Sequence, residues 1–265
     1  MENCLLPKEY KIISVEKKTE IEWLFRVEFD SPVQGGQFIQ VSIPRVGEAP
    51  ISVSAFDNEA GWVEFLIRKV GKVTDVIFDL KAGDSLFLRG PYGNVFPLEQ
   101  YKGKHLVVVA GGSGLAPVRP IINHFYENDN SANVDILIGF KDENSIIFHD
   151  EINKWKSKFN TIITLDRACS LDGVCEGLVT QYIPYMKLAN DFDNMEVVIV
   201  GPPAMMKYST LEFLRRGVPK DKIWVSFERK MSCAVGKCGH CKIDETYVCL
   251  EGPVFRYDKA ETLFD

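Results

Sequence analysis

The pattern of apolar and polar positions changes once along the chain, near Lys104. Before it, short stretches alternate with a period of two. Phe38–Ile43 puts Ile39, Val41 and Ile43 on one face, and Trp62–Ile67 does the same with Val63, Phe65 and Ile67. Leu86–Leu88 follows a Gly83-Asp84 turn, and further strands are predicted near Glu9–Val15, Trp23–Phe29 and Ile51–Ser54. Short strands broken by turn residues predict an antiparallel barrel or sandwich. One helix is predicted at Val73–Leu80, between two of these strands.

After Lys104 the pattern belongs to another fold class. Leu106-Val107-Val108-Val109-Ala110 is a continuous apolar run, as in a parallel strand buried on both faces. The turn Gly111-Gly112-Ser113-Gly114 follows, then a helix with Val118, Ile121, Ile122, Phe125 and Tyr126 on one face. Strands at Val134–Gly139, Thr161–Leu165, Val197–Val200 and Ile223–Phe227 continue the series. Helices are predicted at Asp150–Phe159, Val179–Leu188 and Met205–Arg216. This alternation predicts a doubly wound parallel sheet. The expected organisation is a β-barrel domain over 1–100, an α/β nucleotide-binding domain over 101–227 and a small C-terminal lobe over 228–265. No internal repeat is visible.

Composition narrows the function. The chain has 265 residues, 46% hydrophobic and 26% charged, with a net charge of −6 from 31 basic and 37 acidic residues. These values are those of a soluble globular protein, and they make nucleic acid an improbable partner. No apolar run approaches the roughly 20 residues of a membrane span. The start lacks the basic and apolar regions of a secretory signal, so the cytoplasm is the expected compartment. In that compartment seven cysteines do not form a disulfide framework. Cys4, Cys169 and Cys175 are scattered and read as plain thiols, whereas Cys233, Cys238, Cys241 and Cys249 cluster near the C-terminus.

The cluster spacing is C-x4-C-x2-C-x7-C. Four thiolates satisfy either tetrahedral zinc or the two irons of a 2Fe–2S cluster. The first three follow plant-type ferredoxin spacing, and Gly236 and Gly239 let backbone amides turn towards cluster sulfurs. His240 reads as a neighbour of the site rather than a ligand. In the α/β region, the loop Gly111–Pro117 joins a buried strand to a helix, and Gly201-Pro202-Pro203 follows another strand. Helix-start amides and the absence of Cβ atoms suit such loops to phosphate, and the pair predicts a dinucleotide site. Ile67–Thr74 offers a second phosphate cradle, with Arg68, Lys72, Gly71 and the helix-start Thr74. Ala49–Ser54 and Arg89–Asn94 carry no chemistry that composition alone reveals. No hydrolytic triad or pair of catalytic carboxylates is visible.

The order of these segments resembles the ferredoxin–NADP reductase superfamily over essentially the whole chain: a Pro-x-Ser strand, a glycine-and-threonine phosphate helix, Gly-Pro-Tyr-Gly, Gly-Gly-x-Gly-x-Ala-Pro and Gly-Pro-Pro. The cysteine lobe after Glu228-Arg229-Lys230-Met231 resembles a narrower group, the 2Fe–2S flavoprotein electron-transfer subunits of anaerobic oxidoreductases. Those serving dihydroorotate dehydrogenase and sulfhydrogenase are in it. Within it, the segments Phe227–Cys233, Gly236–Cys241 and Thr246–Phe255 are most similar to subunits that serve anaerobic sulfite reduction.

The resemblance implies FAD, a 2Fe–2S cluster and NADH as cofactors and substrate. Flavin contacts would come from Pro50, Ser52, Ile67, Arg68, Gly71, Lys72 and Thr74, with Ser52 near the reactive flavin nitrogen. Nucleotide contacts would come from Gly111, Gly112, Gly114, Pro117, Gly201 and Pro202. Cluster ligands would be Cys233, Cys238, Cys241 and Cys249, and the partners the iron–sulfur and sirohaem subunits of a sulfite-reducing complex. Three positions depart from the superfamily: Ala49 and Ile51 stand where an arginine and a tyrosine usually contact the flavin, and Val200 replaces a common cysteine. The alternatives are the same relay serving dihydroorotate dehydrogenase, sulfhydrogenase or a transhydrogenase, or a redox sensor that keeps the fold and turns nothing over. NADH is favoured over NADPH because Phe140-Lys141-Asp142-Glu143 and Asp166-Arg167 mix charges of both signs and hold no paired arginines for a 2′-phosphate.

Overall fold

Alternating strands close the first region as expected. A computed structural model of the chain describes residues 5–129, 131–167 and 171–263. The strands are β1 (Lys8–Lys17), β2 (Glu22–Glu28), β3 (Phe38–Ile43), β4 (Gly47–Ser52), β5 (Ala55–Asp57) and β6 (Trp62–Arg68), then helix α1 (Lys72–Ile77) and β7 (Ser85–Tyr92). They form one antiparallel sheet in the order β4-β3-β7-β1-β2-β6-β5. Period-two alternation sends Phe25, Val27, Ile39, Val41, Val63, Phe65, Ile67, Leu86 and Leu88 into one core, which Ile77 of α1 joins. β7 runs past Leu88 because Arg89 pairs with Gln40, and Tyr92 with Phe38, along β3.

The second region contains α2 (Leu98–Tyr101), β8 (His105–Gly111), α3 (Leu115–Asn128), β9 (Asn133–Phe140), α4 (His149–Lys156) and β10 (Asn160–Leu165). β11 (Cys175–Glu176), β12 (Met195–Val200), α5 (Pro203–Arg215) and β13 (Ile223–Ser226) follow. After them come β14 (Lys242–Ile243), β15 (Thr246–Tyr247), α6 (Val248–Glu251), β16 (Val254–Arg256) and α7 (Tyr257–Ala260). A second seven-stranded sheet has the order β11-β10-β9-β8-β12-β13-β16. Its strands β8 to β13 pair in parallel. β8 and β12 are buried along their whole length, which accounts for their unbroken apolar sequences. The chain winds outwards from β8 and returns to its other side at β12. The carboxyl ends of these two strands therefore border the switch point where α/β sheets bind ligands.

The chain divides into two compact units: the chain up to Phe96 together with Phe227–Val254, and Pro97–Ser226 together with the chain from Phe255. Most of the cysteine lobe therefore folds with the barrel, and the residues after it fold with the α/β sheet. The helix expected at Val179–Leu188 is instead two short 3₁₀ turns, Val179–Gln181 and Ile183–Tyr185. Pro184 lacks an amide donor and disfavours helical geometry at the residue before it, so apolar spacing there does not make an α-helix. No helix among the described residues is long and apolar enough to cross a membrane.

Candidate functional site

The cysteine loop turns its amides inwards. Val235, Lys237 and Cys238 donate backbone N–H groups to Cys233 Sγ at 3.5, 3.3 and 3.4 Å, and Gly236 donates to Cys249 Sγ at 3.3 Å. Left-handed backbone at Ala234 (φ 61°) and Gly236 (φ 67°) produces this wrapping. Donation from the backbone, His240 first and then Cys233, pulls the Cys238 thiol down to about 7. Burial pushes Cys249 up to about 12. Cys241 and Cys249 are buried, Cys233 is half-buried and Cys238 is exposed. No three His, Cys, Asp or Glu side chains among the described residues already stand in position around a single ion. The inward amides are what sulfur-rich clusters require, since they stabilise negative charge on sulfur. On that test the donor set fits an iron–sulfur group. Cys175 is a free thiol on β11 of the α/β unit, and Cys4 and Cys169 lie outside the described residues.

The barrel grips both ends of this lobe. Upstream, Gln40 Nε2 donates to the Met231 carbonyl at 3.0 Å. Arg89 donates through Nη2 to the Ser232 carbonyl at 2.5 Å and through Nη1 to the Cys233 carbonyl at 2.8 Å. Downstream, Asn94 Nδ2 donates to the carbonyls of Glu251 and Val254, while Asn94 Oδ1 accepts from Val254 N–H. Glu48 accepts from Arg89 Nη2 at 2.6 Å and from Ser42 Oγ at 2.9 Å. Burial pushes the Glu48 carboxyl up, but the bonds from Arg89 and Ser42 outweigh it and hold the group below its ordinary value. Burial likewise pulls Arg89 down, and Glu48 and Tyr92 more than reverse it. Both groups are therefore charged. Sequence reading missed Gln40, Glu48, Arg89 and Asn94. Their partners lie up to 191 residues away, and the available signal, for Gln40 and Arg89 alone, was a long polar side chain set among apolar neighbours in a strand.

At the other end of the barrel's sequence motif, Ile67 lies in the core and has no side chain to offer a ligand. Arg68 faces solvent and pairs with Glu22 at 3.4 Å. Lys72 and Gly71 are exposed, and a Cβ at Gly71 would meet nothing within 4 Å, so the backbone there is open to approach. The Thr74 hydroxyl is already engaged: it donates to the Gly71 carbonyl at 2.9 Å and accepts from Val70 and Gly71 N–H, both at 3.0 Å. It shapes the loop that opens α1 and does not aim a hydrogen outwards. Ser52 ends β4 opposite Phe38, with Pro50 opposite Gln40; both are half-buried. The open glycine backbone and the neighbouring cations fit a flavin phosphate.

In the α/β unit the two glycine loops touch. A Cβ on Gly114 would stand 2.6 Å from the Val200 carbonyl oxygen and 2.7 Å from Gly201 Cα, so only glycine allows this approach. Gly111 and Gly201 pack against Met205, Pro117 is buried in the first turn of α3, and Pro202 is exposed. Gly112 takes a left-handed conformation (φ 53°) with open space beside it, a place where backbone can meet a ligand. Beyond β9 and β10, Arg167 Nη1 lies 3.6 Å from Asp142 Oδ2, so the expected cation there already has an anionic neighbour.

Comparison with known proteins matches this layout. Residues 11–96 match the oxidoreductase FAD-binding domain family and residues 108–210 the oxidoreductase NAD-binding domain family. Residues 228–261 match the iron–sulfur cluster binding domain of dihydroorotate dehydrogenase B. The chain is 35% identical to the gamma subunit of sulfhydrogenase 2 from Pyrococcus furiosus, covering 93% of each chain. It is 32% identical to a probable dihydroorotate dehydrogenase B (NAD(+)) electron-transfer subunit from Methanothermobacter thermautotrophicus, covering 93% of this chain and 87% of that one. A chain of an NADH-dependent reduced ferredoxin–NADP oxidoreductase, solved for flavin-based electron bifurcation, superimposes with a TM-score of 0.79 at 26% identity, over 94% of this chain and 90% of that one. The protein belongs to the ferredoxin–NADP reductase-like family of electron-transfer subunits that join FAD-binding and NAD-binding domains to a dihydroorotate dehydrogenase B-type iron–sulfur domain. Its cofactors are accordingly FAD and an iron–sulfur cluster, with a nicotinamide nucleotide as redox partner.

Proposed function

We propose that this chain oxidises NADH and delivers the electrons singly, through FAD and a 2Fe–2S cluster, to a larger partner subunit that completes the reaction. The observation that carries this reading is the cysteine loop, whose amides wrap Cys233 and Cys249 and whose ends are held by the FAD-binding barrel itself. When bound, the flavin converts a paired-electron exchange with nicotinamide into single-electron exchanges with the cluster. Cys233, Cys238, Cys241 and Cys249 hold the cluster, and the amides of Val235–Cys238 stabilise charge on its sulfurs. Gly71, Lys72 and Arg68 receive the flavin phosphates, with Thr74 shaping the loop and Ile67 contributing backbone only. Pro50 and Ser52 border the flavin ring. Gly111, Gly112, Gly114, Pro117, Gly201 and Pro202 form the nucleotide cradle.

The similar chains from sulfhydrogenase and dihydroorotate dehydrogenase B favour a partner of that kind. The second reading, iron–sulfur and sirohaem partners that reduce sulfite, is favoured by the resemblance of Phe227–Cys233 and Thr246–Phe255. Anaerobic isolation of the complex from its own cells, followed by NADH-linked assays with sulfite, dihydroorotate and hydrogen, separates the two. NADH oxidation with a partner present also separates both from a sensor, which would be reduced without turnover.

The nucleotide preference has a structural support in Arg167. Its neighbour Asp142 would oppose a 2′-phosphate, which carries about −1.5 to −2 charge. Anaerobic stopped-flow mixing is expected to show flavin reduction at least tenfold faster with NADH than with NADPH at matched subsaturating concentration. Faster reduction by NADPH would refute the preference.

Thr74 offers a test of the flavin loop. Thr74→Val removes the acceptor for two amides and the donor to Gly71, and buried unmade hydrogen bonds cost about 1–3 kcal/mol. FAD affinity of the deflavinated protein, measured by fluorescence titration, is expected to fall five- to tenfold. Thr74→Ser restores it. Unchanged affinity in the valine variant would remove this loop from the flavin site.

A further inference from the structure

Three consecutive carbonyls lead into the first cysteine of the cluster motif, and two side chains of the barrel hold all three. Gln40 takes Met231, and Arg89 takes Ser232 and Cys233. Gln40 and Arg89 are register partners on β3 and β7, so the sheet itself fixes their spacing. Arg89 is 6% exposed, and every nitrogen of its guanidinium has an acceptor: Glu48, Tyr92, Ser232 or Cys233. Such complete pairing is what a buried arginine needs, because an unmatched buried charge is strongly destabilising. Gln40 Oε1 is buried without a hydrogen-bond partner. A buried acceptor left in that state costs stability. The fold tolerates it at a residue whose Nε2 holds the Met231 carbonyl, two residues before Cys233.

We infer that Arg89, balanced by Glu48, is a positioning residue for the iron–sulfur cluster: it fixes the first ligand loop on the flavin-binding barrel, and the charge balance of the pair sets the cluster's reduction potential. The inference rests on Cys233 being a cluster ligand. A cluster that accepts an electron gains negative charge. A nearby cation stabilises the reduced form and a nearby anion destabilises it. The pair as it stands nearly cancels. Removing Glu48 leaves the buried Arg89 charge uncompensated beside the Cys233 carbonyl, where little water screens it, whereas removing Arg89 leaves Glu48, a more exposed and better screened charge.

The test is an anaerobic redox titration of the whole protein, read by electron paramagnetic resonance of the reduced cluster. Glu48→Gln keeps the shape and leaves Arg89 positive. The cluster should become easier to reduce, by three- to tenfold in its reduction equilibrium, where tenfold is 59 mV for one electron. Arg89→Met leaves Glu48 negative and should shift the equilibrium the other way by a smaller factor, because Glu48 is the more exposed of the two. The double variant should return towards the parent. Mere loosening of the lobe would move both single variants in one direction, so opposite signs support the inference. Shifts of the same sign, or a Glu48→Gln equilibrium within twofold of the parent, overturn it. Should Arg89→Met fail to retain its cluster, Glu48→Gln alone decides. If the parent protein holds no acid-labile sulfide, the ligand assignment fails instead, and that result is read before any variant is made.

Discussion

Alanine at any one of Cys233, Cys238, Cys241 or Cys249 is expected to abolish the iron–sulfur signal while flavin stays in the barrel. Each thiolate supplies both a bond and a negative charge, and three cannot close the coordination of two irons. The flavin-side core of Phe25, Val41, Phe65 and Ile67 contains none of these cysteines, so it survives the change. NADH should still bleach the flavin at the parent rate, while reduction of a one-electron acceptor through the cluster falls at least tenfold. The four positions should differ in stability. Cys238 is exposed and its loss removes the cluster alone, whereas Cys249 is 1% exposed and its loss also leaves a small void. Iron and acid-labile sulfide analysis of anaerobically prepared protein checks the outcome, with two of each expected per parent chain. Stoichiometric zinc without sulfide would overturn the 2Fe–2S assignment.

Gly114→Ala should produce the opposite phenotype: cluster and flavin spectra intact, flavin reduction by NADH strongly weakened at subsaturating nucleotide. The added Cβ would lie 2.6 Å from the Val200 carbonyl oxygen and 2.8 Å from its carbon, both backbone atoms with no side-chain freedom to move aside. The two loops must separate, at a cost of about 1–3 kcal/mol for such overpacking. Because both loops belong to the proposed cradle, most of that appears as lost affinity. Flavin reduction by NADH should show an apparent dissociation constant ten- to a hundredfold higher, with dithionite reduction unaffected. Unaltered NADH kinetics would place the nucleotide elsewhere.

Much of this architecture was legible from periodicity. The alternation in Phe38–Ile43 and Trp62–Ile67 predicted their inward faces, and the unbroken run at Leu106–Ala110 predicted a central parallel strand. Both signals arise from burial, which leaves its mark on each strand separately. The predicted helix at Val179–Leu188 failed because apolar spacing was weighed without Pro184. The cysteine loop and the touching glycine loops were legible because their chemistry sits in contiguous motifs. Arg89, Glu48, Gln40 and Asn94 were not, since each acts on residues far away in sequence, and a lone polar residue in a strand looks like any solvent-facing position. Thr74 was named within the phosphate cradle; the directions of its hydrogen bonds, which no sequence shows, tie its hydroxyl to the loop itself.

The barrel unit is interrupted. Its chain leaves at Phe96 and resumes at Phe227. On a ribosome adding about 5–20 residues each second, the barrel's strands are complete many seconds before the cysteine loop is made. During that interval water stands in for Met231, Ser232, Cys233, Glu251 and Val254 at Gln40, Arg89 and Asn94, and the barrel waits as a finished dock for a segment still to be synthesised. Cluster insertion therefore falls after the flavin-binding strands have been made. A cell short of iron would accumulate a protein with its flavin barrel built and its cysteine loop unfilled.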